Sequence, residues 1–363
     1  MIRKTFVVAA FVSVVLIFQR SWFSLISLAV FLFFGYEQYV RAKMLEYRRT
    51  TTPGKLETRL SFLPYSEEQF NKDLLIIIPS LKLRMAVWDE RATLHSPLIK
   101  FHCGLRKTSF VPLRQLPTNK IYLFGGSTTL CIEVPDDYTI ASQLQKNILS
   151  GSPPLNDYEV INCGVRGASL RANYEHFNQL DFQKDDICLF FFGCNEFNEI
   201  NWQPLIGKFQ QNLDRFQKLG LLTPSRIFSK FLNFDENYPQ INERAQEVEK
   251  ILTSIRLRCE RNKISFIAIL QPDMFSRVPA SQFDNERLWH YKPQRNVFKA
   301  RQVLNDKINN LLKMQGFFVD GRSIFNQTDL DVYIDWVHTN YLGNKVIADY
   351  FHSVIQQQLP GNQ

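Results

Sequence analysis

Residues 121–129 read IYLFGGSTT, and the reading of this stretch decides the fold. A short run of Ile121, Tyr122, Leu123 and Phe124 stops at two glycines, and a serine and two threonines follow. A brief apolar run bounded by glycine predicts a buried strand. Gly125 and Gly126 then permit a sharp turn where a Cβ would clash. Ser127 falls at the C-terminal edge of a sheet, near the positive end of the helix that follows, where its hydroxyl is placed to attack a carbonyl. An isolated Gly-Gly-Ser is also an ordinary connecting turn, so the reading depends on partners elsewhere in the chain.

Working outward from this stretch, strand-like runs at 121–125, 158–163, 186–192, 264–270 and 317–320 alternate with helix-like stretches near 138–149, 170–180, 240–262, 296–315 and 341–357. Strands apolar on both faces and separated by helices predict an α/β fold with a parallel sheet covered on two sides. Ligand chemistry then belongs at the C-terminal ends of the strands. Residues 200–239 and 273–295 interrupt the alternation. Their aromatic and proline content, including Trp202, Pro204, Tyr238, Trp289 and Tyr291, suits insertions that wall a pocket.

Three further stretches sit where partners of Ser127 are needed. Asp335-Trp336-Val337-His338 precedes the last helix. A carboxylate three residues before a histidine can hold one imidazole nitrogen while the other is presented as a base. Taken alone, the same pattern is a solvated helix start. The second strand runs into Asn162-Cys163-Gly164-Val165-Arg166-Gly167, and the third into Gly193-Cys194-Asn195-Glu196. The backbone N–H groups of Ser127 and Gly167, with the side-chain amide of Asn195, are candidate donors to an oxyanion.

In this ordered set the chain resembles the SGNH hydrolases, also called the GDSL-like family. FGGST corresponds to the first family block with Ser127, NCGVRG to the second with Gly167, GCNE to the third with Asn195, and DWVH to the fifth with Asp335 and His338. The resemblance covers about residues 120–358 and implies a flavodoxin-like three-layer α/β/α fold with a parallel central sheet. It implies Ser127, Asp335 and His338 as catalytic residues, Ser127, Gly167 and Asn195 as the oxyanion hole, and no cofactor. Two positions depart from the family pattern: Gly126 replaces the Asp of GDS, and Glu196 replaces the Asp often found after the block-three Asn. An α/β-hydrolase elbow does not fit, because Ser127 is followed by two threonines and lacks the second glycine of G-x-S-x-G.

The rest of the 363 residues frames this unit. Residues 5–18 and 22–34 are apolar, predicting an anchor of one or two transmembrane helices within residues 1–40, with membrane lipid as a partner. A cleaved secretory signal is the rival reading, but no small-residue cleavage site precedes the second run. Residues 41–59 are polar and basic and read as a linker along the membrane surface. Residues 60–118 give no clear period beyond a strand-like LLIIIP at 74–79, and are left open between an extra layer and a lid. The catalytic unit is expected over 119–363. Its side of the membrane is undecided: flanking basic residues favour the cytoplasm, and an envelope substrate favours the exterior.

Composition narrows the class. The formal net charge is +8, but lysines and arginines are dispersed and no nucleic-acid motif accompanies them, so no nucleic-acid partner is expected. Six cysteines without C-x-x-C spacing read as buried free thiols, and six histidines lack zinc-type spacing, so no metal is expected. The expected function is an acyl-enzyme ester hydrolase acting on an O-acyl ester, acetyl above all, of a carbohydrate or cell-envelope glycan. An O-acyltransferase on the same serine and a non-catalytic assembly or glycan-binding protein are the alternatives. With His338 as base, its pKa is expected at about 6 to 7.5, from the ordinary histidine value and an Asp335 contribution.

Overall fold

The computed structural model describes residues 94–96, 98–111, 119–151, 155–200, 239–291 and 295–358, all within one compact unit. Among them, eight strands form one sheet: β1 (Leu94–His95), β2 (Lys100–His102), β3 (Leu105–Arg106), β4 (Asn119–Gly125), β5 (Tyr158–Gly164), β6 (Ile187–Phe192), β7 (Ser265–Leu270) and β8 (Phe318–Asp320). The order across the sheet is β1-β2-β3-β5-β4-β6-β7-β8. The last five strands in the chain pair in parallel. Taken in chain order, they stand 2-1-3-4-5, the flavodoxin-like arrangement, which reverses direction at the β4/β6 boundary. A crevice opens at such a reversal, and Ser127 follows β4 there.

Among the described residues seven helices connect and cover the strands: α1 (Ser127–Leu130), α2 (Ile140–Ser150), α3 (Leu170–Asn178), α4 (Pro239–Arg261), α5 (Gln282–Tyr291), α6 (Arg295–Leu312) and α7 (Tyr341–Gln358). Because the chain moves one way from β4 to β5 and the other way from β5 to β6, right-handed crossovers place the connecting helices on opposite faces. Helices α2 and α7 pack together on one face, while α4 packs against α3 and α6 on the other. The caps are those the sequence supplies: Thr139 accepts from Ser142 N at 3.1 Å, and Asn340 Oδ1 from Leu342 N and Gly343 N at 3.0 and 3.1 Å.

Strand periodicity divides the core between the two faces. Ile121, Leu123, Leu189, Phe191, Ile267 and Ile269 meet α2 and α7. On the opposite face Phe124 stacks on Phe190 with ring centroids 4.6 Å apart, and Phe177 of α3 meets both edge-on. All six residues of β6 are buried, as a central parallel strand requires. Losing one such phenylalanine to alanine costs about 3–5 kcal/mol.

The structure departs from the sequence expectation at the sheet edge. Strands β1, β2 and β3 are antiparallel, and β3 joins β5 through Arg106 opposite Asn162. The sheet is therefore mixed, and strands β1 to β3 extend it at the edge beside β5. Strands of two or three residues are too short to show a period, which is why they were illegible. The expected membrane anchor, the linker 41–59, the strand at 74–79 and most of the first insertion (201–238, with Trp202, Pro204 and Tyr238) lie outside the described residues. Among the described residues no helix is long and apolar enough to cross a membrane. Trp289 and Tyr291 fall in α5.

Candidate active site

At the C-terminal end of β4 the chain turns into α1 with almost no space to spare. A Cβ on Gly125 would lie 2.0 Å from Thr129 Oγ1 and 2.8 Å from the Phe191 carbonyl oxygen, and one on Gly126 would lie 2.6 Å from Asn195 Nδ2. These contacts explain the two glycines. An aspartate at 126 would need a Cβ where the Asn195 amide already stands.

Ser127 opens α1, so its hydroxyl emerges where the first helical N–H groups are unpaired. Its Oγ lies 2.8 Å from His338 Nε2, and His338 Nδ1 lies 2.7 Å from Asp335 Oδ2. The other Asp335 oxygen accepts from the backbone N–H groups of Val337 and His338, both at 2.8 Å. The loop carrying Asp335 and His338 is closed on itself by a Tyr333–Thr339 bridge and by Ile334 N donating to the His338 carbonyl at 2.7 Å. Residues far apart in the sequence thus form a continuous hydroxyl–imidazole–carboxylate relay. The carboxylate orients the ring so that Nε2 is the nitrogen facing Ser127.

The candidate oxyanion donors gather beside it. Asn195, in the turn after β6, donates through Nδ2 to the Ala168 carbonyl at 2.9 Å, which holds the amide in place and leaves its second N–H. Gly167, immediately before Ala168 in the turn after β5, has φ +70. Among the described residues, the backbone N–H groups of Ser127 and Gly167 have no acceptor. The two turns are tied together by Glu196, which is buried. One of its carboxylate oxygens accepts from Leu170 N at 2.9 Å and the other from Gly193 N at 2.8 Å. Burial pushes the Glu196 carboxyl above the ordinary range, and these bonds together with Arg244 act against that rise. Glu196 is thus a brace between the second and third turns, and a shorter aspartate would have one methylene less to span them.

Three residues that shape this site escape a sequence reading. Glu133, in the turn after α1, brings Oε1 to 3.7 Å from His338 Nε2. Burial pulls the His338 pKa down, but the Glu133 and Asp335 carboxylates outweigh it and, against Arg166, raise it to about 9. The sequence expectation of about 6 to 7.5 is corrected by the second carboxylate. Asp335 is held below its ordinary value: burial raises it, and the His338 contact and the two backbone donors more than reverse that. Arg301 of α6 donates to the Cys194 carbonyl at 2.5 Å and to Asn198 Oδ1 at 2.7 Å. Its guanidinium lies between the rings of Phe197 and Trp336, 5.0 and 4.7 Å from their centroids, joining the Asn195 turn to the Asp335 loop. Arg106 of β3, fully buried, donates to the carbonyls of Leu130, Cys131 and Val134 and pairs with Asp136, which fixes the turn that carries Glu133.

Among the described residues no group of three or more His, Cys, Asp or Glu side chains is placed to hold a metal ion. The six cysteines are free thiols, four of them buried.

No protein-family model matches the chain, and no curated protein matches it. Among solved structures it is similar to an acetyl xylan esterase, with a TM-score of 0.38 and 15% identity over 65% of this chain and 99% of that one. It is similar to a member of the lipolytic protein G-D-S-L family from Veillonella parvula, with a TM-score of 0.38 and 14% identity over 67% and 100%. An acetylxylan esterase from Geobacillus stearothermophilus gives a TM-score of 0.37 and 18% identity over 66% and 94%.

Proposed function

We propose that this chain is a serine ester hydrolase that works through an acyl-enzyme. The observation that carries the reading is the relay from Ser127 Oγ through His338 to Asp335, with contacts of 2.8 and 2.7 Å. In the first step Ser127 attacks the ester carbonyl, neutral His338 takes its proton, and Asp335 stabilises the imidazolium. The oxyanion is received by the N–H groups of Ser127 and Gly167 and the free N–H of Asn195. His338 then returns the proton to the departing alcohol. Water, activated by the same imidazole, releases the acid in the second step.

The proposed substrate is an O-acetyl ester of a carbohydrate or cell-envelope glycan, in keeping with the motif resemblance. The apolar runs at 5–18 and 22–34 would tether the catalytic unit to a membrane. Labelling the purified protein with a fluorophosphonate, alongside turnover of an activated acetyl ester, tests the reading. Wild-type protein is expected to label and to turn over, and Ser127→Ala to do neither while remaining folded. Undiminished turnover in Ser127→Ala would sink the assignment.

A further inference from the structure

Glu133 stands beside the imidazole nitrogen that faces Ser127. In acyl transfer Nε2 of the histidine hands its proton to the leaving oxygen, so that oxygen lies close to Nε2 when the bond breaks. The Glu133 carboxylate is 3.7 Å from the same nitrogen, and it is partly exposed rather than sealed in the core. Among the described residues His338 is its only ion-pair partner. The backbone that carries it is held from below. The buried Arg106 guanidinium grips three carbonyls of the turn, at 3.0 Å for Leu130, 2.5 Å for Cys131 and 2.6 Å for Val134, and its Nε pairs with Asp136 at 3.1 Å.

For a simple alkyl ester this carboxylate is a handicap. Among the described residues the imidazole meets Asp335 from its own loop, Ser127 from α1 and Glu133 from the turn after α1, and it feels the charge of Arg166 from the turn after β5. The two carboxylates favour the protonated ring, which cannot act as a base. A substrate that brings a hydroxyl to Glu133 draws on the carboxylate for a hydrogen bond and eases its hold on the imidazolium. Hydrogen bonds to a charged acceptor are also the stronger kind.

We infer that Glu133 is a specificity-determining residue for the alcohol half of the substrate, accepting a hydrogen bond from a hydroxyl on the carbon next to the ester-bearing carbon, as a partly acetylated polyol or sugar presents. The inference rests on the esterase reading and names the alcohol class that this site selects. Glu133 exchanges no proton in the reaction and forms no covalent bond.

The test compares glycerol 1-monoacetate with n-propyl acetate, which share the acyl group and carbon count and differ in their hydroxyls. Wild-type protein is expected to favour the monoacetate in kcat/KM. That preference should fall about tenfold or more in Glu133→Ala, with Glu133→Gln between the two because its amide oxygen still accepts. An unchanged ratio in both variants, with the pH profiles for the two esters shifting together, would reduce Glu133 to an electrostatic neighbour of His338 and overturn the inference alone. Failure of the wild-type protein to turn over either ester or to label with a fluorophosphonate overturns the esterase reading, and this inference with it.

Discussion

Glu133 Oε1 and His338 Nε2 lie 3.7 Å apart, so the nitrogen that serves Ser127 is shared with a second carboxylate. The rate consequence has a definite sign. In the proposed mechanism neutral imidazole is the working form, and the His338 pKa is raised to about 9. Below that value most of the free protein holds a protonated ring. Turnover of an activated acetyl ester should therefore climb by close to tenfold per pH unit between about pH 6 and 8 and level off only above 9. Stability moves the other way: the histidine's folded pKa is raised, so its contribution is complete below about 6.5 and is lost as pH rises through 9. A kcat/KM profile that is already flat at pH 7, with the chemical step limiting, contradicts the geometry.

Asn195 and Gly126 make a coupled pair. Losing one oxyanion donor lowers turnover by about 100- to 1000-fold, so Asn195→Ala should reduce kcat by that order with little change in KM. Gly126→Ala introduces a Cβ 2.6 Å from Asn195 Nδ2 and should displace the same amide. The two substitutions are then expected to be far from additive: adding Gly126→Ala to Asn195→Ala should cost little more activity. A double-mutant cycle of kcat values measures this directly, and full additivity would mean that the glycine serves something other than the approach of Asn195.

The difference between what the sequence made plain and what it hid has a physical basis. Strands such as β4 and β6 are buried on both faces and bounded by glycine, so composition alone reveals them. Ser127, Asn195, Asp335 and His338 were legible because each sits at a strand end or helix entry with its own local pattern, and the fold brings all four to one end of the sheet. Glu133 had no such pattern. It is one residue in a turn, and only tertiary structure carries it to a histidine at the far end of the chain. Arg301 reads as one more charge on a solvated helix face, yet its guanidinium lies over the rings of Phe197 and Trp336. Strands β1 to β3 are too short to display alternation, and β3 places a buried arginine where a strand pattern calls for an apolar residue.

Arg301 couples the turn that holds Asn195 to the loop that holds Asp335. Replacing it with methionine keeps an apolar stem between the rings but removes both donors to the Asn195 turn. A small misplacement of an oxyanion donor is expensive, so kcat should fall by about 10- to 100-fold while KM stays near its wild-type value. Arg301→Lys should recover little, because one ammonium cannot reproduce the fork that reaches Cys194 and Asn198 together. Steady-state kinetics on both variants decide the matter. A wild-type kcat accompanied only by a lower Tm would make Arg301 a purely structural residue.

The turn that presents Glu133 depends in the same way on Arg106, and here the expected effect is on stability first. The guanidinium is completely buried and Asp136 nearly so, and burial pushes the Asp136 carboxyl upward even with the arginine beside it. Arg106→Met strands that carboxylate and leaves three carbonyls without their donor, a change expected to cost about 3–5 kcal/mol. Adding Asp136→Asn to Arg106→Met should restore part of the loss, because much of it comes from the unpaired buried charge. Urea denaturation of the single and double variants gives both numbers. If Arg106→Met alone costs less than about 1 kcal/mol, or if the second substitution only deepens the loss, then the turn is held by the packing around it and Glu133 does not owe its position to the arginine.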